Sequence, residues 1–235
     1  MSLPSFPAKK IVLLVILLAL PGALYYLLKE KGENRYRPLQ IYGTKQVAST
    51  FHTKRRKQIP DTIYHVISNF KLLNQDGDTV KFPADSNQIT VVNFFFSRCT
   101  TFCSAMNKEM ARVAKLYNTN RLMRFISISV DPEYDTPAIL SEYSSPYIKE
   151  NKKWDFLTGD KDLIYKLAKK DFMVDALRDT TQKINFIHSP MLILVDPQKR
   201  IRGYYDSTAG NKQVDLLIDE IKVLITEELR SVKDR

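Results

Sequence analysis

The sequence predicts an α/β fold, with a central mixed sheet flanked by helices and a single transmembrane helix at the N-terminus. Three observations support this prediction. Residues 11–28 form a run without any charged side chain. Residues 90–96 are almost continuously apolar, which is typical of a strand buried on both faces. From about residue 61 onward, strand-like and helix-like segments alternate along the chain, which indicates a layered domain of sheet and helices.

The N-terminal quarter of the chain carries almost all of its excess positive charge. The formal net charge is +10, and residues 1–60 hold 11 of the 36 Lys and Arg residues but only 2 of the 26 Asp and Glu residues. The rest of the chain is therefore nearly neutral. A nucleic-acid-binding domain needs a basic surface, so we expect no nucleic-acid partner.

The apolar run at residues 11–28 is long enough to predict a membrane anchor, because about 20 apolar residues span a bilayer. Tyr25, Tyr26 and Lys29 suit an anchor that ends at the membrane interface. A cleaved signal peptide ending near Ala23 is the alternative. The predicted organisation, in chain order, is a cytoplasmic N-terminus (1–10), a transmembrane anchor (11–28), a linker (29–60) and a globular domain (61–235). We interpret the basic run at 54–57 as solvated linker, with contact to anionic headgroups as the alternative.

The globular domain begins with a predicted hairpin, because two strand-like segments at 70–74 and 79–82 flank an Asp-Gly turn. Apolar periodicity and capping signals predict the later elements. They are a strand at 90–96, a helix at 104–117, a strand at 124–130, a helix from 135 to about 147, a strand at 155–158, a helix at 160–170, a hairpin of strands at 191–196 and 201–205, and a helix at 212–229. This order is that of a thioredoxin-like fold.

Both cysteines of the chain, Cys99 and Cys103, lie between the apolar strand and the next helix. The partial positive charge of a helix N-terminus favours thiolates, which are both redox nucleophiles and soft metal ligands. Spacing of i, i+4 places the two sulfurs on one face of a helix, which suits chelation or a disulfide. Arg98 is expected to lower the thiol pKa further. His188 follows far downstream, directly before a predicted strand.

These motifs, in this order, resemble the Sco/SenC family of membrane-anchored, copper-binding thioredoxin-like proteins. The resemblance covers about residues 61–225, and it implies that Cys99, Cys103 and His188 bind copper. The matching motifs are Asn74-Gln-Asp-Gly77, Phe94-Phe-Phe-Ser-Arg-Cys99 with Cys103, Val130-Asp-Pro-Glu-Tyr-Asp-Thr-Pro137, Trp154-Asp-Phe-Leu-Thr-Gly159 and Phe186-Ile-His188-Ser189.

The ligand chemistry agrees with copper. Cu(I) is soft and accepts two thiolates and an imidazole in a site of low coordination number. A closed zinc site needs a fourth ligand, and the only other imidazoles are those of His52 and His65. We interpret His65 as structural or exposed. A structural disulfide between Cys99 and Cys103 would close a very small loop and add little stability.

Two functions remain open. The first is a copper metallochaperone that delivers copper to the copper-receiving subunit of a respiratory oxidase. The alternative is a membrane-anchored thiol–disulfide oxidoreductase, in which Cys99 attacks a partner disulfide and Cys103 resolves it. A CxxxC spacing in place of the CxxC of thioredoxins favours copper.

Thiol–disulfide cycling belongs in an oxidising compartment, and the resemblance implies a domain on the outer side of the inner membrane. We therefore expect a single-pass protein of the bacterial inner membrane with its C-terminal domain in the periplasm. The alternative is a cytoplasmic domain, which the positive charges after residue 28 would favour by themselves.

Three further residues near the cysteines or the histidine carry predictions. We interpret Asp131 and Asp135 as turn and cap residues, with orientation of the metal site as the alternative. Pro190 is predicted to follow a cis peptide bond and to lie against Cys99, because thioredoxin-like folds commonly place a cis-proline there. An ordinary trans proline that opens a strand is the alternative.

Overall fold

The protein divides into two compact units, Met1–Arg37 and Pro38–Arg235. The computed structural model describes residues 8–31, 38–54, 57–85, 87–149, 151–174 and 189–233. In chain order its helices and strands are α1 (Ala8–Lys31), β1 (Lys45–Lys54), β2 (Lys57–Tyr64), β3 (Phe70–Leu73), β4 (Thr79–Phe82), β5 (Ile89–Phe95), α2 (Cys103–Leu116), β6 (Met123–Ser129), α3 (Pro137–Ile148), β7 (Trp154–Leu157), α4 (Lys161–Lys166), β8 (Met191–Val195), β9 (Ile201–Asp206) and α5 (Asn211–Lys233).

The described part of the first unit, residues 8–31, forms α1, which includes residues 11–28. Its central side chains are mostly apolar and exposed. Among the residues that the structure describes, however, no helix is both long and apolar enough to cross a membrane, which does not support the predicted transmembrane anchor.

The segment predicted as a linker contains a β-hairpin. Strands β1 and β2 pair in antiparallel fashion from Lys45 opposite Tyr64 to Lys54 opposite Lys57, with an irregularity between Val47 and Phe51. Both strands are rich in β-branched and aromatic residues, which favour extended backbone. The hairpin is largely exposed, so it lacks the buried face whose alternating pattern would have revealed it in the sequence.

A five-stranded mixed sheet forms the centre of the second unit, in the order β7-β6-β5-β8-β9. Strands β5, β6 and β7 are parallel, and β8 and β9 run antiparallel to their neighbours. The predicted thioredoxin-like α/β fold is confirmed. The predicted hairpin at its start is also present as β3 and β4, where the Asn74 side chain accepts from the backbone N–H groups of Asp76 and Asp78.

Strand β5 is buried along its whole length because helices cover one face of the sheet, and the β3–β4 hairpin and α4 cover the other. Ile89, Val91 and Phe95 pack in the cluster that includes α2 and α5, whereas Val92 and Phe94 pack in the cluster on the other face. This double burial explains the continuous apolar run in the sequence. It also fixes the end of β5, the point from which the cysteine segment leaves the sheet.

Two helices begin at the predicted signals. Thr136 caps α3 by accepting from the Ile139 N–H, and Pro137 is the first residue of the helix. Asp160 caps α4 by accepting from the Leu163 N–H. The helix predicted over 160–170 is α-helical only to Lys166 and continues as a π-helical turn over Leu167–Asp171.

Candidate thiol and metal site

The two cysteines lie where β5 ends and α2 begins. The Cys99 N–H donates to the Phe96 carbonyl at 3.2 Å, which folds the chain into a tight turn after the strand. Cys103 is the first residue of α2, and Phe102 is its N-cap. One thiol therefore sits in a turn and the other on the first residue of a helix, whose N-terminal dipole favours a thiolate.

The two thiols have different environments. Cys99 is half-buried, Cys103 has no exposed surface, and both are free thiols. Burial and the hydrogen bond to Cys99 raise the pKa of Cys103 well above its usual range. Burial also opposes ionisation of Cys99, but hydrogen bonds from Cys103 and Thr101 outweigh it and lower the pKa of Cys99. The pair is thus built with one accessible, readily ionised sulfur and one inaccessible, protonated sulfur.

The sequence predicts that Arg98 lowers the thiol pKa, but the structure gives it other partners. Its guanidinium donates to the Asp131 carboxylate at 2.5 Å and stacks over the Tyr134 ring, 4.1 Å from the centroid. The Asp131 carboxylate balances the positive charge of Arg98. The pKa of Cys99 is lowered by hydrogen bonds instead. The two residues Asp131 and Tyr134 belong to the loop between β6 and α3, so Arg98 ties the cysteine turn to that loop.

Ser97 provides a second tie to the same loop. Its backbone N–H donates to Asp135 at 3.1 Å, and its hydroxyl donates to the other oxygen of that carboxylate. Asp135 has no exposed surface. The sequence interpretation of Asp135 as a cap residue is wrong, because the residue that caps α3 is Thr136.

A chain of polar side chains lies in the core beside Cys103. The Asn93 amide on β5 donates to Asn107 at 2.9 Å, and the Asn107 amide donates to the Tyr143 hydroxyl at 3.0 Å. Burial, together with the neighbouring Tyr147 and Cys103, raises the pKa of Tyr143. These groups link β5, α2 and α3 beneath the cysteine segment.

His188 lies outside the described residues, so its prediction as a ligand stays a prediction. The structure does describe the strand that follows it. Strand β8 is antiparallel to β5, with Val92 opposite Ile193 and Thr90 opposite Val195. The N-terminal end of β8 therefore lies toward the end of β5 that leads to Cys99.

The peptide bond between Ser189 and Pro190 is not cis. Within the described ranges, the cis peptide bond is the one between Phe82 and Pro83. The prediction of a cis-proline at Pro190 is therefore wrong, and the bond is trans, as in the alternative. The Pro190 carbonyl instead accepts from the backbone and hydroxyl of Ser207, which fixes the residue before β8 to the end of β9.

The other two histidines have partners of their own. His65 Nε2–H donates to the Asp171 carbonyl at 2.7 Å, which agrees with a structural role. His52 Nδ1 lies 2.7 Å from the Asp61 carboxylate on the β1–β2 hairpin. Among the described side chains, no group of three or more His, Cys, Asp or Glu forms a metal-binding cluster. The soft donors that the structure does bring together are the two thiols.

Comparison with known proteins points to one family. The SCO1/SenC family model matches residues 60–226. The SCO1 protein homolog of Bacillus subtilis (strain 168) is 28% identical over 165 residues, which cover 69% of this chain and 85% of the homolog.

Solved structures agree with that match. BsSco, described as a member of the Sco family of cytochrome c oxidase assembly proteins with a disulfide switch, is 29% identical with a TM-score of 0.58, and the match covers 69% of this chain and 94% of BsSco. Copper-bound ScoI of Bradyrhizobium japonicum is 21% identical with a TM-score of 0.54, over 68% of this chain and 99% of ScoI. The second likeness is one of fold.

Proposed function

Because the chain belongs to the SCO1/SenC family, as its motifs predicted, we propose that it is a copper metallochaperone. Copper is its cargo: Cys99, Cys103 and His188 hold Cu(I) and pass it to the copper site of a respiratory oxidase. The observation that carries this proposal is the placement of two free thiols between β5 and α2, Cys99 in the turn after the strand and Cys103 on the first residue of the helix, since two neighbouring soft donors suit Cu(I).

The described geometry supports the proposed ligand set in two ways. Cys103 is held by α2 in the protein interior, whereas Cys99 is accessible at the surface, so a metal can reach the pair through Cys99. The antiparallel pairing of β8 with β5 brings the chain just after His188 back toward the cysteine end of β5. Both thiols lose their protons when they bind copper, and binding therefore weakens as pH falls.

A competition titration of the reduced full-length protein against a Cu(I) chelator tests this proposal. We expect one Cu(I) per chain, with binding abolished in Cys99→Ser and weakened in His188→Ala. The matched control is His52→Ala, the same substitution at a histidine on the β1–β2 hairpin, which should leave the affinity unchanged. An unchanged copper stoichiometry in Cys99→Ser would contradict the proposal.

The identity of the recipient is part of the proposal. BsSco is described as a member of a family of cytochrome c oxidase assembly proteins, which supports an oxidase subunit as the partner. Deleting the gene should lower the copper content of the respiratory oxidase, and wild-type but not Cys99→Ser protein should restore it.

The asymmetry of the two thiols also favours the second candidate function, thiol–disulfide exchange. The Cys99 thiolate attacks a partner disulfide and forms a mixed disulfide, and one partner sulfur leaves as a thiolate. The Cys103 sulfur then attacks Cys99, the second partner sulfur leaves, and the Cys103 proton passes to it. The protein ends oxidised by two electrons and the partner reduced by two. Cys103→Ser should trap the mixed disulfide, whereas Cys99→Ser should not.

We propose that either reaction takes place on the outer side of the bacterial inner membrane. The support is chemical, because a thiol pair that cycles with a disulfide requires an oxidising compartment. Protease added to intact spheroplasts should digest the second unit, and carbonate extraction should show whether the protein is held in the membrane. Protection of the domain until the spheroplasts are lysed would contradict this placement.

A further inference from the structure

The cysteine turn is bound to one buried carboxylate. Asp135 accepts from the Ser97 backbone N–H at 3.1 Å and from the Ser97 hydroxyl, and it also accepts from the Ser129 hydroxyl at the end of β6. The carboxylate has no exposed surface. A buried charge is costly unless several donors satisfy it, so these three hydrogen bonds are held firmly.

Asp135 is itself held rigidly by its own loop. Its N–H donates to the Asp131 carbonyl at 2.9 Å, and the N–H of Asp131 donates to the Ser129 hydroxyl at 3.1 Å. The next residue, Thr136, caps α3. Asp135 is thus fixed between the end of β6 and the start of α3, and it can act as a fixed point for another segment.

The segment that it fixes ends at a thiol. Ser97 lies two residues before Cys99, and the intervening turn is closed by the hydrogen bond from Cys99 N–H to the Phe96 carbonyl. Cys103 is fixed separately, as the first residue of α2. The position of one sulfur relative to the other therefore depends on how firmly the turn from Ser97 to Cys99 is held.

We propose that Asp135 is a positioning residue for the thiol pair. It acts through Ser97 to hold Cys99 beside Cys103, so that the two sulfurs can bind one copper ion or form a disulfide with each other. A loose turn would have to be ordered each time copper or a disulfide joined the two sulfurs. Prior ordering removes that cost, so bridging of either kind becomes more favourable. The inference deepens the proposed function, and its copper measurement rests on that function.

Two variants and one matched control test the inference in the full-length protein. Ser97→Ala removes the hydrogen bond from the Ser97 hydroxyl to Asp135 and keeps the one from the Ser97 backbone N–H. Asp135→Asn keeps the size of the side chain and removes its charge. The control is Ser144→Ala, which removes a buried serine hydroxyl in α3 that donates to the Ser141 carbonyl. All are compared with wild type for Cu(I) affinity, for unfolding in urea, and for the disulfide equilibrium with glutathione.

The glutathione measurement does not involve copper. Glutathione disulfide oxidises the two protein thiols to the Cys99–Cys103 disulfide, and two molecules of glutathione are released. We expect the equilibrium constant for this reaction to fall about threefold in Ser97→Ala and about tenfold in Asp135→Asn, as expected for the partial loss of hydrogen bonds to a charged group. Cu(I) affinity should fall in parallel, and Ser144→Ala should stay within about twofold of wild type in both measurements.

The outcomes separate the two proposals. If wild type binds no Cu(I), the proposed function fails, and the glutathione equilibrium alone decides whether Asp135 positions the thiols. If Ser97→Ala and Asp135→Asn lower only the stability to urea, as Ser144→Ala does, and leave the glutathione equilibrium unchanged, Asp135 is a structural residue and the inference is overturned.

Discussion

Ser97 donates both its backbone N–H and its hydroxyl to the carboxylate of Asp135, which lies 38 residues further along the chain and has no exposed surface. These two hydrogen bonds join the turn that carries Cys99 to the loop before α3. The thiol site is therefore not an isolated sequence motif, because its shape depends on a distant part of the fold.

The first prediction concerns thiol reactivity. Cys99 is accessible and its pKa is lowered, whereas Cys103 is buried and its pKa is raised, so at neutral pH the thiolate population and the exposure both favour Cys99. We expect iodoacetamide to label Cys99 at least about tenfold faster than Cys103, since each pKa unit corresponds to a tenfold change in thiolate fraction. Mass spectrometry of the two cysteine peptides from wild-type protein, labelled for increasing times, gives both rates. Equal rates at the two sites would show that the asymmetry is absent in solution.

The second prediction concerns the polar chain beside Cys103. Asn107 links Asn93 and Tyr143 in the core, so Asn107→Ala leaves both partners without that hydrogen bond. We expect the free energy of unfolding in urea to fall by about 2–4 kcal/mol, because unsatisfied buried polar groups cost about 1–3 kcal/mol each. Tyr143→Phe breaks only one of the two bonds and should cost less. A loss below about 1 kcal/mol in Asn107→Ala would contradict this account.

The third prediction compares Arg202, which lies on β9, with Arg200, which lies in the turn before β9. Arg202 is buried and donates to Asp196, Glu227 and the Leu39 carbonyl, whereas the more exposed Arg200 donates to the same Asp196. Arg202→Met leaves two carboxylates without their buried partner and should cost about 3–5 kcal/mol of stability to urea.

Arg200→Met is the matched control for that substitution. It removes a more exposed pair and should cost about 1 kcal/mol or less. Because Arg202 also binds the start of the second unit at Leu39, limited proteolysis should cut near residues 38–42 sooner in Arg202→Met. Equal losses of stability in the two variants would show that burial of Arg202 is unimportant.

The fourth prediction concerns stability at high pH. Burial raises the pKa of Tyr204 to about 12, and its hydroxyl donates to the Phe172 carbonyl at 3.0 Å. An unfolded tyrosine has a pKa of about 10, so the folded state favours the neutral phenol. This contribution is complete below pH 10 and is lost as pH rises toward 12.

Urea denaturation at several pH values checks this dependence. Between pH 10 and 12, the free energy of unfolding of wild type should fall, with up to about 1.4 kcal/mol per pH unit due to Tyr204. In Tyr204→Phe the decline should be shallower by that amount, because Phe has no proton to lose. Identical slopes in the two proteins would remove Tyr204 as a cause.

The sequence predicts those parts of the fold that local patterns determine. Strand β5 is buried on both faces, so its apolar run is visible without any structure, and the helix that follows it starts at Cys103, one residue before the predicted start. Thr136 and Pro137 likewise predict the start of α3, because one is a favoured cap residue and the other a favoured first residue of a helix. The i, i+4 spacing keeps the two thiols close in the chain, but the prediction that they share one face of a helix is wrong, because Cys99 lies in the turn before α2 and only Cys103 is on the helix.

Other features could not be predicted because they depend on contacts between distant residues. The exposed β1–β2 hairpin has no buried face to give a pattern, so the sequence predicts a linker there. The role of Asp135 depends on Ser97, and nothing local distinguishes this carboxylate from that of a helix cap. Arg98 next to Cys99 suggested an effect on the thiol, but its partner is Asp131, 33 residues away.

X-ray absorption spectroscopy of the Cu(I)-loaded full-length protein tests the central claim most directly, because it reports the atoms bound to copper. We predict two sulfur ligands and one imidazole nitrogen in wild type, loss of the nitrogen in His188→Ala, and an unchanged spectrum in the control His52→Ala. A wild-type spectrum without two sulfur ligands, or one that His188→Ala does not alter, would contradict the proposal that Cys99, Cys103 and His188 hold copper.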